Sequence, residues 1–102
     1  YYSTEEEIGY GDAISGMTNG KHYVIDTSRN GAGPAPDSPL SWCNPDGRAL
    51  GTPPTTDTSS PNADAYVWVK RVGESDGSCN GGPGAGQFVS QFAIDLARNA
   101  GQ

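Results

Sequence analysis

From Thr27 to Asn62 the chain is dominated by Gly, Pro, Ser, Thr and Asp, and this stretch constrains the fold more than any other feature. A loop of that length inside a compact domain is either functional or disordered. Trp42-Cys43 in its middle argues for function, because disordered stretches rarely keep either residue type. A short apolar run flanks the loop on each side. His22-Tyr23-Val24-Ile25-Asp26 is β-branched and aromatic, consistent with a buried strand. Ala65-Tyr66-Val67-Trp68-Val69-Lys70 reads as a second strand, and its near-continuous apolar character predicts burial on both faces, as in parallel sheets.

Helices are expected at the two ends. Ser3-Thr4-Glu5-Glu6-Glu7 offers a hydroxyl cap with Glu6 or Glu7 three residues on, the pattern of a capping box. Tyr10, Ile14 and Met17 then share one face, and Asn19-Gly20 ends the helix. A turn-rich segment runs from Arg71 to Gly84. After it, a helix is predicted from Ala85 to Ala100, with Phe88, Phe92 and Leu96 as its apolar stripe. The order is helix, strand, long loop, strand, shorter loop, helix, which reads as α/β. In such folds the loops leaving the C-terminal ends of parallel strands build the active site. Both elaborate loops here leave the ends of strands.

Composition narrows the function. Six Lys and Arg stand against twelve Asp and Glu, so the chain repels phosphate backbones and nucleic acid is an unsuitable partner. No basic patch for anionic lipid is present, and no stretch approaches the ~20 apolar residues of a membrane span. The start, Tyr-Tyr-Ser-Thr-Glu-Glu-Glu, has neither the basic nor the apolar region of a signal peptide. With 15 Gly and 8 Pro among 102 residues, little apolar surface is left to offset the entropy of folding. The chain is therefore expected to be a piece of something larger or a disulfide-stapled module. Cys43 and Cys79 are its two cysteines. The single histidine, His22, is remote in sequence from both, so no metal site and no cofactor are expected. A disulfide between them would close about 36 residues and contribute roughly 3–4 kcal/mol in the chain-entropy model. It would also point to an oxidising compartment.

Two clusters can carry chemistry. Lys70-Arg71-Val72-Gly73-Glu74-Ser75-Asp76-Gly77 follows the second strand, with two carboxylates and a lysine on a glycine-flanked turn. That set suits polar recognition or proton transfer, and equally a solvated acidic turn. The oxygens of Glu74, Asp76 and Asn80 raise a calcium loop, although the spacing departs from the Asp-x-Asp-x-Asp-Gly pattern. Asp26-Thr27-Ser28-Arg29-Asn30-Gly31 follows the first strand. Arg29 there can pair with a carboxylate and lower its pKa, while Asp26 can cap the turn. Ser28 with His22 and Asp26 lacks the Gly-x-Ser-x-Gly elbow of a nucleophilic triad. Trp42, pinned by its neighbour Cys43, is a candidate sugar-stacking platform or a plug for the loop's own small core. Trp68, inside the apolar run, reads as core.

Taken in order, Tyr23 to Gly31, Trp42-Cys43-Asn44-Pro45-Asp46-Gly47-Arg48-Ala49-Leu50-Gly51, Ala65 to Lys70, Gly73-Glu74-Ser75-Asp76-Gly77 and Gly84-Ala85-Gly86-Gln87-Phe88 resemble glycoside hydrolase family 6. The resemblance covers nearly all of residues 1–102 and matches the last third of that family's catalytic domain. It implies the C-terminal portion of a distorted (β/α) barrel, with parallel strands and long active-site loops. It also implies inverting hydrolysis of β-1,4-glucosidic bonds in cellulose by a secreted enzyme that is monomeric at full length. By the same resemblance, Asp76 is the proposed catalytic base, acting on water directly or through a second water. Lys70 and Glu74 hold glucosyl hydroxyls, Trp42 stacks on a sugar, and Arg29 pairs with an active-site carboxylate. Cys43 and Cys79 form a disulfide tying the two active-site loops together.

Inversion needs an acid on the leaving oxygen and a base opposite, about 6.5–9.5 Å apart. The family's proton donor lies on an earlier loop with no counterpart here, so the isolated chain is expected to be inactive and to fold poorly. Only Ser78 to Ala85 separates Gly77 from Gly86, too short to roof a cleft, which favours endoglucanase action. Two other readings remain. A non-catalytic carbohydrate-binding module would rely on Trp42 and not on Asp76. A small disulfide-stapled interaction domain would fold alone and bind no saccharide.

Overall fold

The computed structural model describes residues 1–101. Its elements are α1 (Thr4–Met17), β1 (Tyr23–Asp26), β2 (Ala63–Val67) and α2 (Ser90–Asn99). This is an α/β arrangement around a two-stranded parallel sheet.

Helix α1 starts where its capping residues dictate. Ser3 Oγ accepts from Glu6 N (3.2 Å), and Glu6 Oε2 accepts from the Ser3 N–H (2.8 Å). These bonds satisfy donors that a helix N-terminus leaves open. At the other end the chain turns through left-handed Asn19 and Gly20, at φ 59° and 77°, and Gly20 N returns to Ser15 O (2.8 Å). The expected apolar face is not the packed one. Tyr10, Ile14 and Met17 are exposed, and the buried residue of α1 is Ser15. Packing follows the small side of the helix instead. Gly11 lies so close to the Tyr23 ring that an added Cβ would stand 2.5 Å from Cε2. The Tyr23 hydroxyl donates to Asp12 Oδ1 (2.7 Å), which also accepts from Ser60 Oγ (3.0 Å). One carboxylate thus joins α1, β1 and the end of the long loop.

Strands β1 and β2 pair from Tyr23↔Ala63 to Asp26↔Val67, with an irregularity between Tyr23 and Val24. The second strand begins two residues earlier than its apolar run and ends at Val67 rather than Lys70. The reason is a change of hydrogen-bond partner: beyond the ladder, Val69 N and Lys70 N donate to the Asp26 carboxylate at 3.3 and 3.1 Å. Nor is the sheet buried on both faces. Ile25, Ala63 and Tyr66 are buried, whereas Val24 is 56% exposed. Trp68 is half-buried, its indole N–H donating to Thr52 O at 3.0 Å.

The final helix begins at Ser90, five residues later than periodicity predicts. The segment before it pairs antiparallel with the Glu74 region: Ser75 N donates to Gln87 O (2.8 Å), and Val89 N to Gly73 O (2.8 Å). Gly86 at φ 84° suits this turn and not a helix. Phe88 therefore leaves the helical stripe and stands 68% exposed, so Leu96 is the buried residue of α2.

The interior sits largely beneath the loops. The largest fully buried side chains are Thr27, Cys43, Ser28 and Ser75, all past the ends of strands. Small polar side chains fill that space, and the hydroxyls of Thr27 and Ser75 find carbonyl partners there, Thr27 Oγ1 donating to Thr52 O (2.6 Å) and Ser75 Oγ to Pro83 O (2.8 Å). The long loop is consequently folded: Gly31 N donates to Ala49 O (3.0 Å), Gly51 N to Thr27 O (2.9 Å), and Leu50 N to Leu96 O of α2 (3.1 Å).

Candidate active site

Both strands end on one carboxylate. Asp26 accepts from Ser28 N at 2.9 Å as well as from Val69 N and Lys70 N. This fixes the starts of the two loops side by side and brings Arg29 and Lys70 to the same anion, Asp76. Arg29 Nη1 lies 2.6 Å from Asp76 Oδ2, and Lys70 Nζ lies 3.0 Å from Oδ1. Asn44 N–H donates to Oδ2 at 2.9 Å. The Asp76 side chain is only 10% exposed.

Burial alone would raise the pKa of Asp76. The hydrogen bond from Arg29, then those from Asn44 N–H and Lys70, outweigh it, and the carboxyl is held below its ordinary value. The group is therefore an ionised carboxylate across neutral and mildly acidic pH.

The extended backbone of Glu74-Ser75-Asp76 alternates its side chains. Ser75 is fully buried, its hydroxyl donating to Pro83 O at 2.8 Å, while Glu74 and Asp76 are partly exposed on the other side. Glu74 lies 3.7 Å from Arg71 and lines a pocket with Arg29, Asn44 and Asp46. Lys70 Nζ also donates to Ser75 O (3.3 Å), so two of its contacts are to the 75–76 turn itself.

The disulfide joins Cys43 to Cys79 with Cα atoms 6.1 Å apart, linking the long loop to the turn beyond Asp76. Two asparagines reinforce it. Asn80 Nδ2 donates to Cys43 O (2.6 Å), and Asn44 Nδ2 donates to Gly77 O and Cys79 O, both at 2.9 Å. Next to this pinned junction Trp42 stands 56% exposed, with Cys43 buried beside it. An open indole face on a rigid loop is available for stacking.

The competing clusters do not assemble. Asn80 turns its amide toward carbonyls and Asp76 is committed to two cations, so no calcium loop forms around Glu74, Asp76 and Asn80. His22 pairs with Asp64 at 2.6 Å, and Asp26 is committed to backbone N–H groups, so Ser28 has neither as a triad partner. Among the described residues no group of three His, Cys, Asp or Glu is placed to hold a metal. The sequence assigns Asn44 no role and offers Asn80 only as a calcium oxygen, not as the loop ties they form here. The signal available for them was weak: an Asn beside each cysteine, in Gly-rich surroundings.

The chain as a whole has counterparts. The family model for glycosyl hydrolases family 6 matches residues 2–100. The chain belongs to that family. Endoglucanase A of Cellulomonas fimi is 51% identical over 100 residues, which is 98% of this chain and 21% of that protein. Endoglucanase A of Thermobispora bispora is 45% identical, again over 98% of this chain and 21% of the relative. Among solved structures, the endoglucanase Cel6 from Mycobacterium tuberculosis, in complex with methyl-cellobiosyl-4-deoxy-4-thio-β-D-cellobioside, superposes with a TM-score of 0.97. It is 75% identical, and the match covers all of this chain and 35% of that one. The chain thus spans about a fifth of the length of the curated family 6 relatives it matches.

Proposed function

We propose that this chain supplies the catalytic-base side of the cleft in a secreted, inverting endo-β-1,4-glucanase whose (β/α) barrel is completed by the rest of a longer protein. The observation that carries the reading is the nearly buried Asp76 carboxylate, held by Arg29 and Lys70 where two parallel strands end. The names of the relatives, and the cellobioside-type ligand of the Mycobacterium tuberculosis enzyme, support a β-glucan substrate. Among the described residues no helix is long and apolar enough to cross a membrane, and the Cys43–Cys79 disulfide fits an oxidising destination.

In the proposed mechanism an acid outside this chain protonates the leaving oxygen, and Asp76 serves the opposite face. Its lowered pKa has two consequences. Asp76 stays ionised at the pH where the acid must stay protonated, which keeps the two roles apart. It is also a weak proton acceptor, so abstraction from water runs late, once the anomeric carbon has drawn electron density from the attacking oxygen. Until then the carboxylate acts chiefly through its charge, facing an oxocarbenium-like transition state. Trp42 offers a stacking surface, and Glu74 and Lys70 offer an acceptor and donors for glucosyl hydroxyls. The short segment from Ser78 to Ala85 leaves the groove open, which favours attack within a chain.

The test is the complete enzyme on carboxymethyl-cellulose, with viscosity followed and product anomers read by NMR. Rapid viscosity loss with α-anomer products is expected. Asp76→Asn should lower kcat by about 10²–10⁴-fold. Retention of configuration, or near-normal turnover in that variant, would overturn the assignment.

A further inference from the structure

Asn44 belongs to neither charged cluster, yet it meets Asp76 at two points. Its N–H donates to Oδ2, the oxygen that Arg29 also holds, and its own Oδ1 accepts the Asp76 N–H at 2.8 Å. The remaining half of the carboxamide donates to Gly77 O and Cys79 O. One side chain therefore grips the backbone on both sides of the Asp76 side chain, while the main chain behind it grips the carboxylate. The residue is 8% exposed and sits in the left-handed region at φ 47°. Asn and Gly adopt that conformation at least cost. Room for the amide is left by Gly82, where a Cβ would collide with Asn44 Nδ2.

We infer that Asn44 is a positioning residue for the reaction: it sets where the Asp76 carboxylate stands between Arg29 on Oδ2 and Lys70 on Oδ1. This rests on the role given to Asp76 above. Arg29 and Lys70 are the charged groups on that carboxylate, and both are long side chains with rotational freedom. The Asn44 N–H is a main-chain donor beside a disulfide, so it supplies the fixed point against which the two cations settle.

The experiment compares the complete enzyme with Asn44→Gly, which keeps the left-handed backbone and its N–H but deletes the carboxamide, and with Gly82→Ala, which presses on the amide and leaves Asn44 in place. Both should lower kcat by about 10- to 100-fold with KM changed less than about 3-fold, because a displacement near 1 Å costs on that order. Both should also move the acid limb of the kcat profile to higher pH, and thermal unfolding reports how much of either variant is folded. Carboxyl NMR titration of Asp76 provides a second readout, its midpoint rising in Asn44→Gly. A kcat loss with an unmoved acid limb and an unmoved Asp76 titration would reduce Asn44 to a structural strap and overturn the inference. An inactive parent enzyme would instead sink the glucanase reading, and the NMR titration would still decide the positioning role.

Discussion

Arg29 and Asp76 are 47 positions apart in sequence and meet at 2.6 Å, one from the loop after each strand. Removing the guanidinium leaves a nearly buried carboxylate with Lys70 and the Asn44 N–H alone. Arg29→Ala should destabilise the protein by about 2 kcal/mol, the scale of a charge-assisted hydrogen bond lost from a buried anion. Chemical denaturation measures it. Arg29→Lys should recover only part of the loss, since an ammonium cannot reproduce the planar donor geometry.

The depressed pKa of Asp76 makes stability pH-dependent with a definite sign. A carboxyl with a folded pKa below its unfolded value, about 3.9, contributes fully above that value and loses the contribution as pH falls through the folded pKa. The unfolding midpoint should therefore drop as the pH is taken below about 4. In Asp76→Asn the same acid titration should be shallower. Equal slopes in parent and variant would mean that other carboxyls dominate.

Breaking the Cys43–Cys79 link should cost about 3–4 kcal/mol for a loop of this size. Paired serines at the two positions isolate that effect. The amide bonds of Asn44 and Asn80 span the same junction, so kcat should fall less steeply than stability does. Urea unfolding and turnover measured on the same preparation test both halves.

Gly11 and Gly9 lie in one helix and should respond oppositely to alanine. Alanine gains about 1 kcal/mol over glycine in a helix interior. At Gly9 nothing lies within 4 Å of the new methyl, so Gly9→Ala should stabilise by up to that amount. At Gly11 the methyl meets the Tyr23 ring, whose hydroxyl is anchored on Asp12. Overpacking of about 1–3 kcal/mol then exceeds the propensity gain, and Gly11→Ala should be destabilising. Melting temperatures of the two variants decide it.

Trp42→Ala should leave the melting temperature nearly unchanged, because the indole is more than half exposed. Affinity for cello-oligosaccharides should drop about 2- to 12-fold, by analogy with the 0.5–1.5 kcal/mol of aromatic contacts. Calorimetric titration measures the difference.

What the sequence made legible follows the range of the interactions involved. The capping box at Ser3, the Asn19-Gly20 stop and the strand at Tyr23 are local, and each is where its residues place it. The end of β2 and the start of α2 are governed by distant partners: the Asp26 carboxylate takes the N–H groups of Val69 and Lys70, and Gly73 to Ser75 take the segment before Ser90. Periodicity carries no information about either. It also favoured the Tyr10, Ile14 and Met17 face of α1, where packing runs through Gly11 and Ser15. In the site, Arg29, Lys70 and Asp76 stood out as charges where apolar runs stop. Asn44 did not, since its importance lies in a left-handed backbone and in bonds to Asp76, Gly77 and Cys79 that only the folded loops bring within reach.

The Asp26 carboxylate has a mechanical consequence. By holding N–H groups that lead directly into Arg29 on one side and Lys70 on the other, it gears the two loops together. A sliding of β1 along β2 would have to break the Asp26 bonds to Val69 N and Lys70 N, so these bonds resist any shift of Arg29 relative to Lys70. The two loops are thereby clamped at their roots, and parting Arg29 from Lys70 costs those bonds first.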